Sequence, residues 1–412
     1  MERTISASIS RRSFLGGAAA LAAARGLAAA GFAHAGQGRE LAYVGTYTEL
    51  PGPGKNGRGI ELFEADLGTG DLVHRGLAAK SRNPSWIAVH PSRKYLYAVN
   101  EISDFQGGFG SVSAFAVDAE SGALRELNIV SSRGAAPAYI SLDSTGNFAF
   151  VANYGGGSVA VLPIRGDGSL GEAVDVRLDE GSVGIARVTG APAGSFANSG
   201  HDTPHAHMIA PDPNNQFVLA TDLGQDRIYT YRFDPRTGKL SPAPGAPFVA
   251  LPPGDGPRHF AFHPNGRWLY SIQEEASTVA FFRYDPATGG LEPRQTLSTL
   301  PAGFAGTSYA SEILAAPNGT ALYAVNRLHD TIAVFVIGRD GRLSYVAETS
   351  TLGDYPAQCR IAPGANYLYV CNQRSDDITS FRIQPGTGLL AHTGQYISVG
   401  TPGCITFLSG NA

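Results

Sequence analysis

A chain of 412 residues, 43% hydrophobic and 16% charged, has ordinary globular composition and enough length for a large core. Its formal net charge of -4 excludes the basic field that nucleic acid or an anionic membrane surface requires. Gly (52) and Pro (26) are abundant, which favours many turns and short strands over long helices.

The chain opens on a targeting pattern. Ser10-Arg11-Arg12-Ser13-Phe14-Leu15 is a twin-arginine motif, an Ala/Leu-rich run follows, and Ala33-His34-Ala35 forms an A-x-A cleavage site. The apolar run is short and is broken by Arg25, Gly26 and Gly31, which argues against a transmembrane anchor. Residues 1–35 are therefore expected to be a signal peptide. Residues 36–412 are expected to be one exported domain, periplasmic or secreted, with no membrane contact after cleavage.

Two cues then recur along the chain. The first is a turn followed by leucine: TGDL (Thr69 to Leu72), SGAL (from Ser121), DGSL (from Asp167), TGKL (from Thr237), TGGL (from Thr288), DGRL (from Asp340) and TGLL (from Thr387). Each glycine can supply the positive φ of a hairpin turn. The second cue precedes the last six copies: strand, tight turn, strand, as in PRHFAFHPNGRWLYSIQE and PAQCRIAPGANYLYVCNQ. A third strand such as TIAVFVI leads into the G-x-L turn and a fourth. Four antiparallel strands recurring every ~40–50 residues describe a propeller blade.

The seventh unit is split between the ends. LAYVGTYTE (Leu41 to Glu49) matches a second strand, and PGCITFL (Pro402 to Leu408) matches a first strand. The expected fold is all-β: a seven-bladed β-propeller, closed by the C-terminal strand joining the N-terminal blade, with no unpaired edge. Residues 175–203, rich in Gly, Ala and Ser, are expected to form the largest loop. Cys359, Cys371 and Cys404 lack C-x-x-C spacing, so thiol metal ligation is not expected, and either one disulfide or buried free thiols fit.

In an antiparallel hairpin the start of the first strand lies beside the end of the second. Counting from each tight turn gives two positions per blade at one channel mouth. The first series is Ser85, Ala138, His207, Arg258, Ser311, Ala357 and Gly403. The second is Glu101, Tyr154, Leu223, Glu274, Arg327, Gln373 and Tyr47, preceded in each blade by Asn100, Asn153, Asp222, Gln273, Asn326, Asn372 and Thr46. The ring collects opposite charges between apolar strands. Glu beside Arg suggests an acid/base group next to an anion or oxyanion binder. His207 fits a base, a hydrogen-bond donor or a structural histidine. His205 lies on the same strand face, further out. His205, Glu101, Tyr154, Asp222 and Gln373 are candidate substrate contacts.

Other motifs carry no chemistry. Gly107-Gly108-Phe109-Gly110 and Gly155-Gly156-Gly157 precede no helix that could present a phosphate site. Neither H-E-x-x-H nor G-x-S-x-G occurs. The spacing of His205 and His207 recurs by chance, and neither a metal nor a cofactor is expected.

The stretches PHAHMIAPDPNNQFVLATDLGQDRIYTYRFD, GPRHFAFHPNGRWLY, EEASTVAFFRYDPATGGL and YAVNRLHDTIAVF carry a family resemblance. At these residues the chain resembles the seven-bladed lactonase family, which includes propeller-type 6-phosphogluconolactonase and fungal carboxy-muconate cyclase. The likeness is dense from Pro204 to Phe335. It implies lactone ring opening, or the reverse cyclisation, with the functional His, Arg, Glu and Arg at His207 (or His205), Arg258, Glu274 and Arg327. Glu274, or Glu101, would deprotonate water. Arg258 and Arg327 would hold the substrate and the oxyanion, and His207 would orient the water or protonate the leaving alkoxide. A carboxylate beside two cations is a weaker base unless burial offsets them. The family often carries Pro-Arg at the start of the last full blade, where this chain has Pro356-Ala357, which weakens the case for a phosphorylated substrate. The expected protein is a monomeric, metal-independent lactonase acting on a small sugar-acid or related lactone. Its alternatives are a carboxy-muconate-type cyclase and a non-catalytic ligand- or protein-binding propeller.

Overall fold

Seven separate antiparallel sheets hold every strand of the computed structural model, which describes residues 38–49, 55–184, 188, 191–195, 197 and 200–409. The expected signal peptide, residues 1–35, lies outside these residues. No α-helix occurs among those described. The inner strands of blades 2 to 7 are Trp86–Val89, Pro137–Leu142, Ala206–Pro211, Pro257–Phe262, Tyr309–Ala315 and Pro356–Ile361. Blade 1 is the split one. Its inner strand, Pro402–Phe407, pairs with Arg39–Thr46 from Ala42↔Phe407 to Gly45↔Cys404, closing the ring as the sequence implies.

The repeated G-x-L cue has a packing reason. Gly70, Gly122, Gly168, Gly238, Gly289, Gly341 and Gly388 all have φ between 70° and 87°. In five blades a buried tyrosine on the second strand donates its hydroxyl to such a glycine in the next blade. Tyr43 reaches Gly122 at 2.9 Å, Tyr97 reaches Gly168 at 3.0 Å, and Tyr270 reaches Gly341 at 2.9 Å. Tyr323 reaches Gly388 at 2.8 Å, and Tyr369 of blade 7 reaches Gly70 of blade 1 at 3.0 Å. Blades 3 and 4 place Phe150 and Leu219 there, without a hydroxyl. Apolar cores fill the spaces between blades, as where Val44, Ile405 and Phe407 meet Tyr369 and Ile378.

Two blades depart from the expected pattern. In blade 4 the outer strand is broken into Lys239–Pro242 and Phe248–Ala250, both paired with Arg227–Asp234. The intervening Ala243-Pro244-Gly245-Ala246-Pro247 explains the break, since proline cannot donate to a ladder. In blade 3, Asp175–Leu178 forms the outer strand, so the loop expected over 175–203 starts only after Leu178. Cys359, Cys371 and Cys404 are buried free thiols, which leaves no disulfide among them.

Candidate active site

Six of the seven blades carry a β-bulge at the same place, where the inner strand begins. In blade 4 the register passes from Ala206↔Asp222 to Met208↔Thr221, so His207 is the extra residue. The same slip leaves Arg258 extra in blade 5, Ala138 in blade 3, Ala357 in blade 7 and Gly403 in blade 1. In blade 6 it falls at Ser311 and Glu312. A bulged residue leaves the ladder and its side chain is re-aimed. Here the bulges aim Ala138, His207, Arg258, Ala357 and Gly403 into one cavity of about 170 Å³. Tyr47, Glu101, Tyr154, Glu274, Arg327 and Gln373, at or near the ends of second strands, complete the wall with Ser85 and Trp86.

The charges in this cavity are organised. Glu274 Oε2 lies 2.9 Å from Arg258 Nε and 2.7 Å from Arg327 Nη2. Each guanidinium is braced from behind. Arg258 donates to the Ser311 carbonyl. Arg327 donates to the Tyr309 carbonyl and the Tyr355 hydroxyl, each at 3.3 Å, and lies 5.1 Å from the centre of the Tyr355 ring. Burial disfavours the Arg327 charge, but Glu274 more than offsets this and raises its pKa above the ordinary value. Burial, then the Arg327 charge, lowers that of Arg258.

Glu101 sits differently. Its Oε2 accepts the Tyr47 hydroxyl at 2.9 Å, and burial pushes its carboxyl pKa up. His207 is held neutral: burial, then the Arg258 charge, drives its pKa well below the ordinary value. The cavity therefore presents two fixed cations, one carboxylate bound to both, one carboxyl with a raised proton affinity and one neutral imidazole. Such a set can stabilise a developing oxyanion and move protons beside it.

Two expected substrate contacts lie elsewhere. Asp222 points away from the cavity because residues alternate along a strand, and the mouth position of its blade falls on Leu223, which is fully buried. Asp222 Oδ1 accepts the His205 and Gln225 backbone N–H groups at 3.1 and 2.8 Å. His205 stacks behind Tyr154 at 4.3 Å, with Nδ1 on the Tyr154 carbonyl at 2.9 Å and Nε2 on Asp202 at 2.9 Å. It supports the wall without lining it. Ser311 is also withdrawn, its hydroxyl donating to the Pro356 carbonyl at 2.8 Å. Trp86 and Tyr355 were not anticipated, since neither falls on a counted position.

Asp222 has a second role in the fold. Asp179, at the start of the blade 3–4 loop, faces it, and burial with the Asp222 charge raises the Asp179 pKa well above the ordinary value. Two buried carboxyls so close disfavour both being charged. A pKa raised on folding gives stability that is full below the unfolded value and is lost as pH rises towards the folded one. The stability this carboxyl contributes should therefore fade as pH rises above the ordinary carboxylate range. Asp179→Asn should remove that loss and flatten the dependence of melting temperature on pH. Thermal melts from acid to neutral pH check this; an unchanged pH dependence in the variant would contradict the raised Asp179 pKa.

The family described as lactonase, 7-bladed beta-propeller, matches residues 41–407. The chain belongs to the seven-bladed β-propeller lactonase family. Among members of that family, a protein from Bacillus subtilis named 6-phosphogluconolactonase is 33% identical over 369 residues, covering 89% of this chain and 98% of that one. A Formosa agariphila protein of the same name is 30% identical over 361 residues, covering 87% and 96%. The solved structure of a periplasmic gluconolactonase from Pseudomonas aeruginosa superposes with a TM-score of 0.80 at 31% identity, covering 90% of this chain and 99% of that one.

Proposed function

We propose that this propeller lactonase hydrolyses an unphosphorylated sugar-acid lactone in the exported compartment. The observation that carries this reading is the convergence of Arg258 and Arg327 on one oxygen of Glu274 at the cavity wall, with Glu101 separately placed on Tyr47. Lactone hydrolysis needs a base for water, cations for the oxyanion and a proton for the leaving oxygen. A carboxylate oxygen shared by two guanidiniums is a poor base, whereas a buried carboxyl with raised pKa is a better one. We therefore assign the base to Glu101 and give Glu274 the task of fixing both arginines. Water loses a proton to Glu101 and attacks the carbonyl carbon, Arg258 and Arg327 hold the oxyanion, and the ring oxygen departs with a proton from His207.

The wall supports this substrate class. Arg258 and Arg327 are the only cations among the residues lining the cavity, and both already face Glu274. Ala357 lines the cavity where a third arginine would serve a phosphate. The names of the relatives support a sugar-acid lactone, and the periplasmic Pseudomonas relative with the twin-arginine motif supports export. No group of three or more His, Cys, Asp or Glu among the described residues is placed to hold a metal, and the steps above use none. Initial rates read by proton release should show kcat/KM for D-glucono-δ-lactone above that for its 6-phosphate by roughly tenfold or more, the worth of one charge-assisted contact. Preference for the phosphate, or no ring opening at all, would contradict this reading.

A further inference from the structure

The neutral state of His207 poses a chemical problem. Within the proposed lactonase reaction, the ring oxygen leaves as an alkoxide and needs a proton. A neutral imidazole can give one only if its other nitrogen receives one, since the imidazolate is otherwise far too basic. The Nδ1 of His207 is buried and has no hydrogen-bond partner. Its ring meets that of His259 edge-on, with centroids 5.0 Å apart. His259 is 1% exposed, and its Nε2 is likewise buried without a partner. On its other side, His259 Nδ1 lies 3.1 Å from Glu312 Oε1. Glu312 is 4% exposed, and its Oε2 is a third buried polar atom without a partner. Three such atoms in one continuous stack each carry a desolvation cost, and buried polar atoms left unpaired call for a role such as a catalytic one.

The stack also connects two spaces. A second cavity of about 190 Å³ lies further along the channel, lined by Glu312 and Arg360 among apolar side chains. Trp86 lines both cavities, and the Trp86, Tyr139 and His259 rings pack together at centroid distances of 4.4 to 5.2 Å. Arg360, Phe262 and Leu314 on its wall are partly exposed, which gives this cavity access to solvent.

We infer that Glu312 and His259 form a proton relay that reprotonates His207 from the far side of the channel as the lactone ring opens. At rest His207 Nδ1 and His259 Nε2 are not hydrogen-bonded to each other; with the ring centroids 5.0 Å apart, rotation of either ring brings the two nitrogens together, and the Glu312 carboxyl then gives its proton to His259 Nδ1 as His259 Nε2–H passes one to His207 Nδ1. His207 releases its own to the departing ring oxygen. Glu312 is left as a carboxylate and regains a proton from the second cavity. The proton removed from water stays on Glu101 until it leaves with the product, so one water is consumed and every proton is placed. Glu312 and His259 contact no substrate; they position and supply His207.

The charged and titratable groups around the relay are the cations Arg258, Arg327 and Arg360, the Tyr139 hydroxyl and the Cys359 and Cys404 thiols. Against those cations, burial still holds the Glu312 pKa up at about 7. Donation requires the protonated form, so turnover should fall as pH rises through about 7.

The test is the pH profile of kcat for wild type, Glu312→Gln, Glu312→Asp and His259→Phe on the lactone that wild type opens fastest. Glu312→Gln and His259→Phe should lower kcat roughly a hundredfold, leave KM within about twofold and lose the alkaline limb. Glu312→Asp keeps a carboxyl and should restore that limb, which a merely structural role would not predict. Should Glu312→Gln fail to fold, His259→Phe and Glu312→Asp carry the same comparison. Wild-type kcat with an intact alkaline limb in the first two variants would overturn the relay alone. A wild-type protein that opens no lactone would overturn both the relay and the lactonase reading.

Discussion

A chain shortened by residues 402–412 will lose cooperative melting and aggregate, although it lacks only a short tail. The deletion removes Pro402–Phe407, all six residues of which are buried. Ile405 and Phe407 leave the core shared with Val44 and Tyr369. Each fully buried side chain of this size contributes roughly 1.5–3 kcal/mol, and the ladder with Ala42 to Thr46 is lost as well. Together these approach the whole stability of a typical domain, ~5–15 kcal/mol. Gln358 also loses both bonds to the Ile405 backbone, at 2.9 and 3.4 Å. The strand Arg39–Thr46 becomes an open edge beside an exposed apolar face, which templates association. Size-exclusion chromatography and thermal melts check this. A soluble, truncated protein with an unchanged transition would contradict ring closure as the source of stability.

The second large effect separates the two carboxylates of the mouth. Glu101→Gln should lower kcat by about a hundredfold or more with little change in KM, because it removes the base and leaves the arginine pair in place. Its Tyr47 contact survives, since the amide oxygen still accepts, so the melting curve should barely move. Glu274→Gln should behave differently. It leaves Arg258 and Arg327 facing each other without their shared anion, and breaking such an interior pair costs about 3–5 kcal/mol. The expected result is a melting temperature several degrees lower and a raised KM as the cations splay. Arg327→Ala should lose roughly two to three orders of magnitude in kcat if the guanidinium serves the oxyanion. Steady-state kinetics with melting curves on all three variants decide the matter. Full turnover in Glu101→Gln with none in Glu274→Gln would reverse the assignment of the base.

Most of the architecture was legible because its cues are local and repeated. Each G-x-L turn needs a glycine at positive φ, and each second strand has its own apolar rhythm. The split blade was legible because its two ends match different strands of the same unit. The mouth was also legible, but for a reason the sequence conceals. Counting from the turn found His207 and Arg258 because the bulge recurs at the same distance in each blade, so its extra residue cancels in the comparison. Asp222 was misplaced by one step, since only the parity of the strand separates it from Leu223. His205, a candidate substrate contact on the strand face of His207, stops short of the cavity because it stacks behind Tyr154, and that packing leaves no pattern in the sequence. His259 and Glu312 left no signal at all. They come together only across two blades, beneath residues that had already taken the charged roles. The break in the outer strand of blade 4 could have been read from its two prolines.

One lactone ring should sit at this mouth with its carbonyl facing the two arginines. The most direct measurement is a crystal structure with D-glucono-δ-lactam, an isostere whose amide resists hydrolysis. The ring should lie in the cavity between Tyr154 and Gln373, its carbonyl oxygen within hydrogen-bond distance of Arg258 or Arg327 and its carbonyl carbon open to a water on Glu101. A ring bound outside the mouth, or one whose carbonyl points away from both guanidiniums, would contradict the account.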